Sequence, residues 1–176
     1  MELTTSRLHL RPMGADDLPA LMGIWTDPAV TRFVGGPREA EALHAGLSED
    51  LLPNAPPLNL WPVVENASGA VVGHCGILDK EVDGCAEYEL IYIFAQEAWG
   101  RGYATEIGVA LRDHAFQVLG LARLVSLIEP ENAASRRVAE KVGMRHEKDI
   151  VRPSGRTMCL YALYATERHL GDSTLT

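Results

Sequence analysis

The sequence has no apolar run approaching the roughly 20 residues of a membrane helix. Its first residues, Met1 to Arg7, lack the apolar stretch of a secretory leader, so the cytoplasm is the default compartment. Cysteine is scarce. Cys75, Cys85 and Cys159 form no close pair, which argues against a disulfide framework and against thiolate metal spacing. No His-x-x-x-His pair occurs among the 6 histidines, and no metal is expected. Lys and Arg number 16 against 24 Asp and Glu, for a formal net charge of -8. Nucleic-acid binding needs clustered cations facing phosphates, so it is not expected here. The acidic balance mildly favours a cationic substrate. Internal repeats and low-complexity linkers are absent, and 176 residues suit one self-supporting domain.

What is present reads as alternating elements. Arg7 to Pro12 alternates polar and apolar residues, as a strand does. Asp16 or Asp17 offers an N-cap, and Leu18, Leu21, Met22 and Trp25 follow at helical spacing. A second helix is predicted from Pro37 with the stripe Ala40, Leu43, Leu47 and Leu51. Pro53 to Pro57 reads as a loop. A meander follows: Leu60 to Glu65, a turn at Asn66 to Gly69, Ala70 to Leu78, a turn at Asp83-Gly84, then Ala86 to Phe94. Next come a helix over Tyr103 to Leu119, a strand over Leu121 to Ile128, and a helix from Asn132 to Gly143. A hairpin, Met144 to Val151 and Thr157 to Tyr164, ends the pattern, with a polar tail from Arg168. This order predicts an α/β (α+β) layer fold.

The segment Trp99-Gly100-Arg101-Gly102-Tyr103-Ala104-Thr105-Glu106 carries the chemistry. It turns a strand into a helix through two glycines, which let backbone approach a ligand. The first helical N–H groups lack partners and, with the helix dipole, suit a pyrophosphate. A dinucleotide fingerprint would need a third glycine where Thr105 stands, and a P-loop would need Gly-Lys-Ser/Thr. By spacing alone, tight helix–strand packing explains the glycines as well as a ligand does.

Here the sequence resembles the GNAT superfamily of acyl-CoA N-acyltransferases. It is most similar to the branch of ribosomal-protein N-terminal alanine/serine acetyltransferases, which carries the same Trp-Gly-x-Gly-Tyr-Ala-Thr-Glu turn. Leu3 to Pro12, Asp16 to Leu18, Thr26 to Pro28, Gly69 to Gly76 and Asn132 to Gly143 resemble further family segments in the same order. The resemblance implies one domain over residues 1–167 with a tail over 168–176. Its sheet would be single, mixed and mostly antiparallel, flanked by helices and splayed into a V-shaped cofactor slot. It implies acetyl-CoA as donor and a primary amine as acceptor, either a protein N-terminus (ribosomal or other) or a small molecule. A homodimer is compatible with it.

By the same resemblance, amides of Gly100, Arg101, Gly102, Tyr103, Ala104 and Thr105 would hold the pyrophosphate. Ile93 and Phe94 would pair with the pantetheine arm, and Asn132 would meet it. An Arg101 contact to phosphate competes with an exposed arginine, and Asn132 reads equally as a helix cap. The family often places a tyrosine acid seven residues after this asparagine, but that position is Ala139. Ser135 is the nearest substitute. Glu89 is the candidate general base, on the strand face shared with Ile91 and Ile93, with Glu87 behind it. A backbone N–H near Ile93 or Phe94 would serve the oxyanion. His74 and His114 read as structural. The missing tyrosine motivates a rival reading, a non-catalytic acyl-CoA-binding module.

Overall fold

The computed structural model describes residues 1–51, 56 and 58–166. Among the described residues there are eight strands and five α-helices. They are β1 (Leu3–Thr4), β2 (Leu8–Leu10), α1 (Leu18–Thr26), α2 (Pro28–Thr31), α3 (Ala40–Glu49), β3 (Leu60–Glu65), β4 (Val71–Val82), β5 (Cys85–Phe94), α4 (Tyr103–Gln117), β6 (Arg123–Ile128), α5 (Ala133–Val142), β7 (Arg145–Val151) and β8 (Thr157–Tyr164). The seven strands and four helices read from the sequence pattern follow the predicted order, and the short β1 and α2 are additional. The strands form one sheet in the order β1-β2-β3-β4-β5-β6-β8-β7. β1–β2, β2–β3, β3–β4, β6–β8 and β7–β8 are antiparallel. β5 and β6 are parallel, registered at Glu89 opposite Val125. The mixed, mostly antiparallel sheet with helices is thus the fold the sequence predicts.

The chain divides into two compact units. One comprises Met1–Ile77 and Ile91–Ile107; the other comprises Leu78–Leu90 and the chain from Gly108 onward. In the first, the apolar stripes of α1 and α3 meet the end of β5: Leu21, Ile24, Leu47 and Ile93 form a buried cluster, with Trp25, Leu43 and Ile91 packed against it. Burying each such side chain contributes roughly 1.5–3 kcal/mol. In the second, Val82, Val125, Ile150, Leu160 and Ala162 form the cluster.

Local chemistry sets several boundaries differently from the sequence pattern. α1 is preceded by a 3-10 turn over Ala15–Asp17, and Asp17 accepts from Gly14 N–H and pairs with Arg11 at 2.6 Å rather than capping α1. α3 starts after Glu39, whose carboxylate caps it through Glu41 and Ala42 N–H, so Pro37 precedes the helix and Leu51 follows it. Asp27 caps α2, a four-residue helix too short for the periodicity to show. The Asp83–Gly84 turn lies where expected, both residues at positive φ. The loop at Pro53, Asn54, Ala55 and Pro57, and the tail from residue 168, lie outside the described residues.

Candidate active site

β5 ends at Phe94, and a 3-10 turn over Gln96–Ala98 leads to Trp99. The half-exposed Trp99 indole donates from Nε1 to the Phe94 carbonyl at 2.8 Å, tying the turn to the strand end. On β4, a side chain at Gly73 would meet the Ile93 carbonyl at 2.7 Å and the Phe94 ring at 2.8 Å. Glycine is therefore required there for the strand ends to approach.

Gly100 and Gly102 both adopt positive φ, +73° and +80°. That geometry delivers the chain into α4. Among the described residues, no protein acceptor receives the N–H groups of Arg101, Gly102, Tyr103, Ala104 or Thr105. The first bond into the helix is Glu106 N–H to Gly102 O at 3.1 Å. Five neighbouring amide hydrogens and a helix N-terminus make a site for a diphosphate.

Side chains the sequence reading did not single out hold this turn. Arg7 donates from Nη1 to the Arg101 carbonyl at 2.8 Å, and from Nε to Glu106 Oε2 at 2.7 Å. Thr5 Oγ1 and Ser6 Oγ also donate to Glu106, at 2.6 and 3.1 Å. Burial pushes the Glu106 carboxyl up, but Thr5, Arg7 and Ser6 outweigh it and hold the group below the ordinary glutamate range. Arg101 pairs with Glu65 at 2.6 Å, and the Arg7 and Arg101 guanidinium carbons each lie 4.7 Å from the Tyr103 ring centroid. Tyr103 OH also donates to Glu65. Two cations thus flank the amide turn, and Arg101 is already engaged by Glu65. Arg7 and Glu106 stand in recognisable segments, but nothing local signals that they meet.

The structure places Ile93, Phe94 and residues 100–105 together in the first unit, and Glu89, Asn132 and Ser135 in the second. Glu89 is half-buried. Desolvation raises its carboxyl above the ordinary glutamate value, opposed by the charges of Lys80 and Arg152 and by the Leu127 N–H. Burial thus shifts this carboxyl in the direction that strengthens it as a base. Glu87, the runner-up, pairs with Arg123 at 3.1 Å. Asn132 caps α5, its side-chain oxygen accepting Ser135 N–H at 3.1 Å. Ser135 is half-buried on the first turn of α5, and Ala139 is fully buried. His74 is buried and accepts Trp25 Nε1–H at its Nδ1, at 3.0 Å. Burial lowers its pKa to about 4, so it is a neutral structural residue.

One trio escapes any spacing rule. Antiparallel pairing of β7 with β8 brings His146, Asp149 and Cys159 ligand atoms within 4.8 Å of one another. His146 Nε2 bonds Asp149 Oδ1 at 2.8 Å, and the Cys159 thiol hydrogen-bonds the same carboxylate.

Comparison with known proteins agrees with this geometry. Residues 7–145 match the acetyltransferase (GNAT) domain family. YkkB of Bacillus subtilis (strain 168) is 32% identical over 151 residues, covering 85% of this chain and 88% of its own. The acetyltransferase of Agrobacterium tumefaciens str. C58, known by crystal structure, is 31% identical with a TM-score of 0.78 over 93% of this chain and 94% of its own. Aminoglycoside acetyltransferase AAC(6')-Ib, solved in complex with coenzyme A, shares the fold at 17% identity, with a TM-score of 0.72 over 93% of this chain and 99% of its own. A glycine turn with bare amides at the start of α4, in this sheet and with these relatives, identifies the chain as a member of the GNAT acetyltransferase family.

Proposed function

We propose that this chain moves an acetyl group from acetyl-CoA to a primary amine by direct attack. The observation that carries the reading is the run of amide hydrogens from Arg101 to Thr105 without protein acceptors, at positive-φ glycines opening α4. These amides would hold the pyrophosphate, with Gly100 and Gly102 keeping the backbone close. Arg101 would exchange its Glu65 partner for a phosphate oxygen. Backbone groups of Ile93 and Phe94 would pair with the pantetheine arm, and Asn132 would contact it. The acceptor amine must be neutral to attack, and Glu89, four residues before Ile93 on one strand, would take its proton. A backbone N–H near Ile93 or Phe94 would bind the oxyanion. Ser135 would donate to the departing sulfur. The thiolate leaves readily because its conjugate acid has a pKa of about 8.5, so a strong acid such as the tyrosine replaced by Ala139 is dispensable.

Calorimetric titration with acetyl-CoA, followed by thiol release across amines and peptides, tests this. Micromolar binding with thiol release supports it, and no binding at millimolar acetyl-CoA overturns it. Ala139 at the family's acid position favours one second reading, a non-catalytic acyl-CoA-binding module. Binding without thiol release from any acceptor would establish that module.

A further inference from the structure

We propose, independently of the acetyltransferase reading, that His146, Asp149 and Cys159 form a zinc site that clips β7 to β8. β7 is an edge strand of the sheet, and Ile150 is its one buried residue. Its pairing with β8 is irregular: His146 pairs with Tyr161 and Lys148 with Leu160, so Glu147 is an extra residue. Residues 146 and 149 are an odd number of positions apart, and regular alternation would put them on opposite faces. The bulge returns them to one face, as bulges do where a side chain must be re-aimed. Their partners on β8, Tyr161 and Cys159, are two positions apart and share a face. One nitrogen, one oxygen and one sulfur atom thereby come within 4.8 Å of one another.

The donor set selects the ion. Imidazole, carboxylate and thiolate are ordinary zinc ligands, and around a tetrahedral ion they lie roughly 3.2–3.8 Å apart. No pair here has to close by more than about 1.6 Å, the difference between 4.8 and 3.2 Å, which side-chain rotation supplies. A sulfur ligand disfavours magnesium and calcium, which take oxygen sets. Cys159 is 7% exposed while His146 and Asp149 are open to solvent, so an ion can enter from outside toward a screened thiol. On binding, a Zn–S bond replaces S–H and the proton leaves to solvent. The imidazole binds through Nε2 with its hydrogen on Nδ1, and water takes the fourth position. The surroundings support the ligands. The His146 ring leans on the Tyr161 ring, with centroids 5.6 Å apart, and Arg136 Nε donates to the Tyr161 hydroxyl at 3.1 Å. Outer contacts of this kind orient a ligating ring. Beyond Asp149, Arg136 and Glu131 act on the thiol with opposite signs, and Arg136 is committed to Tyr161 and to the Pro130 carbonyl at 3.3 Å.

The test uses the full chain, stripped with chelator, held under a non-thiol reductant and titrated with cobalt(II), which reports thiolate ligation by its absorption. Zinc then competes. Expected are about one cobalt per chain, a thiolate-to-cobalt charge-transfer band, and displacement by zinc. His146→Gln and Asp149→Asn, at exposed positions where folding should survive, should each raise the zinc Kd about tenfold or more, and Cys159→Ser should abolish the band. Cys85→Ser removes an exposed thiol and should change nothing. Zinc should raise the wild-type melting temperature and leave that of His146→Gln where it was. Absence of the band at millimolar cobalt overturns the site. So does a band that survives Cys159→Ser or is lost in Cys85→Ser, or a zinc affinity that both His146→Gln and Asp149→Asn leave unchanged. Equal wild-type melting with and without zinc overturns the clip. Should Cys159→Ser fail to fold, the two exposed variants decide the matter.

Discussion

Arg7 and Glu106, 99 residues apart, are joined through every polar hydrogen-bonding atom the carboxylate offers: Arg7 backbone N–H reaches Oε1 at 3.0 Å, while Nε and Nη2 reach Oε2 at 2.7 and 2.6 Å. The same guanidinium holds the Arg101 carbonyl, so this pair fixes the backbone whose amides face the proposed pyrophosphate.

Glu106→Ala should therefore lower stability by about 1–3 kcal/mol, because Thr5, Ser6 and Arg7 lose their acceptor. It should also weaken acetyl-CoA binding, since the turn loses its brace. The pH dependence has a definite sign. The native carboxyl titrates below the ordinary glutamate value of about 4.3, so its contribution is complete above that pH and fades as pH falls through the lower native value. Urea unfolding of wild type and variant at several pH values should show the gap closing on acidification.

Glu89→Gln should reduce turnover by about 10²–10⁴-fold with near-normal acetyl-CoA affinity. The wild-type rate should rise with pH through a value above that of an ordinary glutamate, and the variant should lose this limb. Stability should move oppositely. A carboxyl whose native pKa is raised contributes below its unfolded pKa and loses that contribution as pH rises through the native one. At neutral pH the buried charge is a cost, and Glu89→Gln should melt at or above the wild-type temperature. An unchanged pH–rate profile would remove Glu89 as base.

Gly102→Val should raise the acetyl-CoA Kd by about tenfold or more, because a β-branched residue at φ +80° is strained by roughly 1–2 kcal/mol and redirects the amides. Calorimetry reads this directly. Wild-type affinity in the variant would displace the ligand from this turn.

Asn132→Ala should cost about 1 kcal/mol in thermal unfolding as α5 loses its cap. Asn132→Ser should restore most of that stability. If Asn132 also meets the pantetheine arm, the serine variant should still show a raised KM for acetyl-CoA. Full recovery of KM would reduce Asn132 to a cap. Ser135→Ala should lower kcat by less than about tenfold, since the thiolate leaves without strong acid help.

The element order, the Asp83–Gly84 turn and the glycine turn before α4 were legible because they depend on periodicity and on φ requirements carried by single residues. So were the Asn132 cap and the Gly143 stop of α5, whose partners lie within one helical turn. α2 was not legible through periodicity, because four residues span barely one turn, and the start of α3 shifted because Glu39 could cap where Pro37 could not.

By itself, then, the sequence determined the longer strands and helices, though not β1 or α2, and where bare amides would stand. Those properties arise from local sterics and hydrogen-bonding rules. Only the tertiary structure decided that Arg7 braces Glu106, that Glu65 holds Arg101 and Tyr103, that Trp25 bonds His74, and that His146, Asp149 and Cys159 converge. Each of these depends on strand register and helix packing, which bring together groups tens of residues apart and leave no periodic trace in the chain.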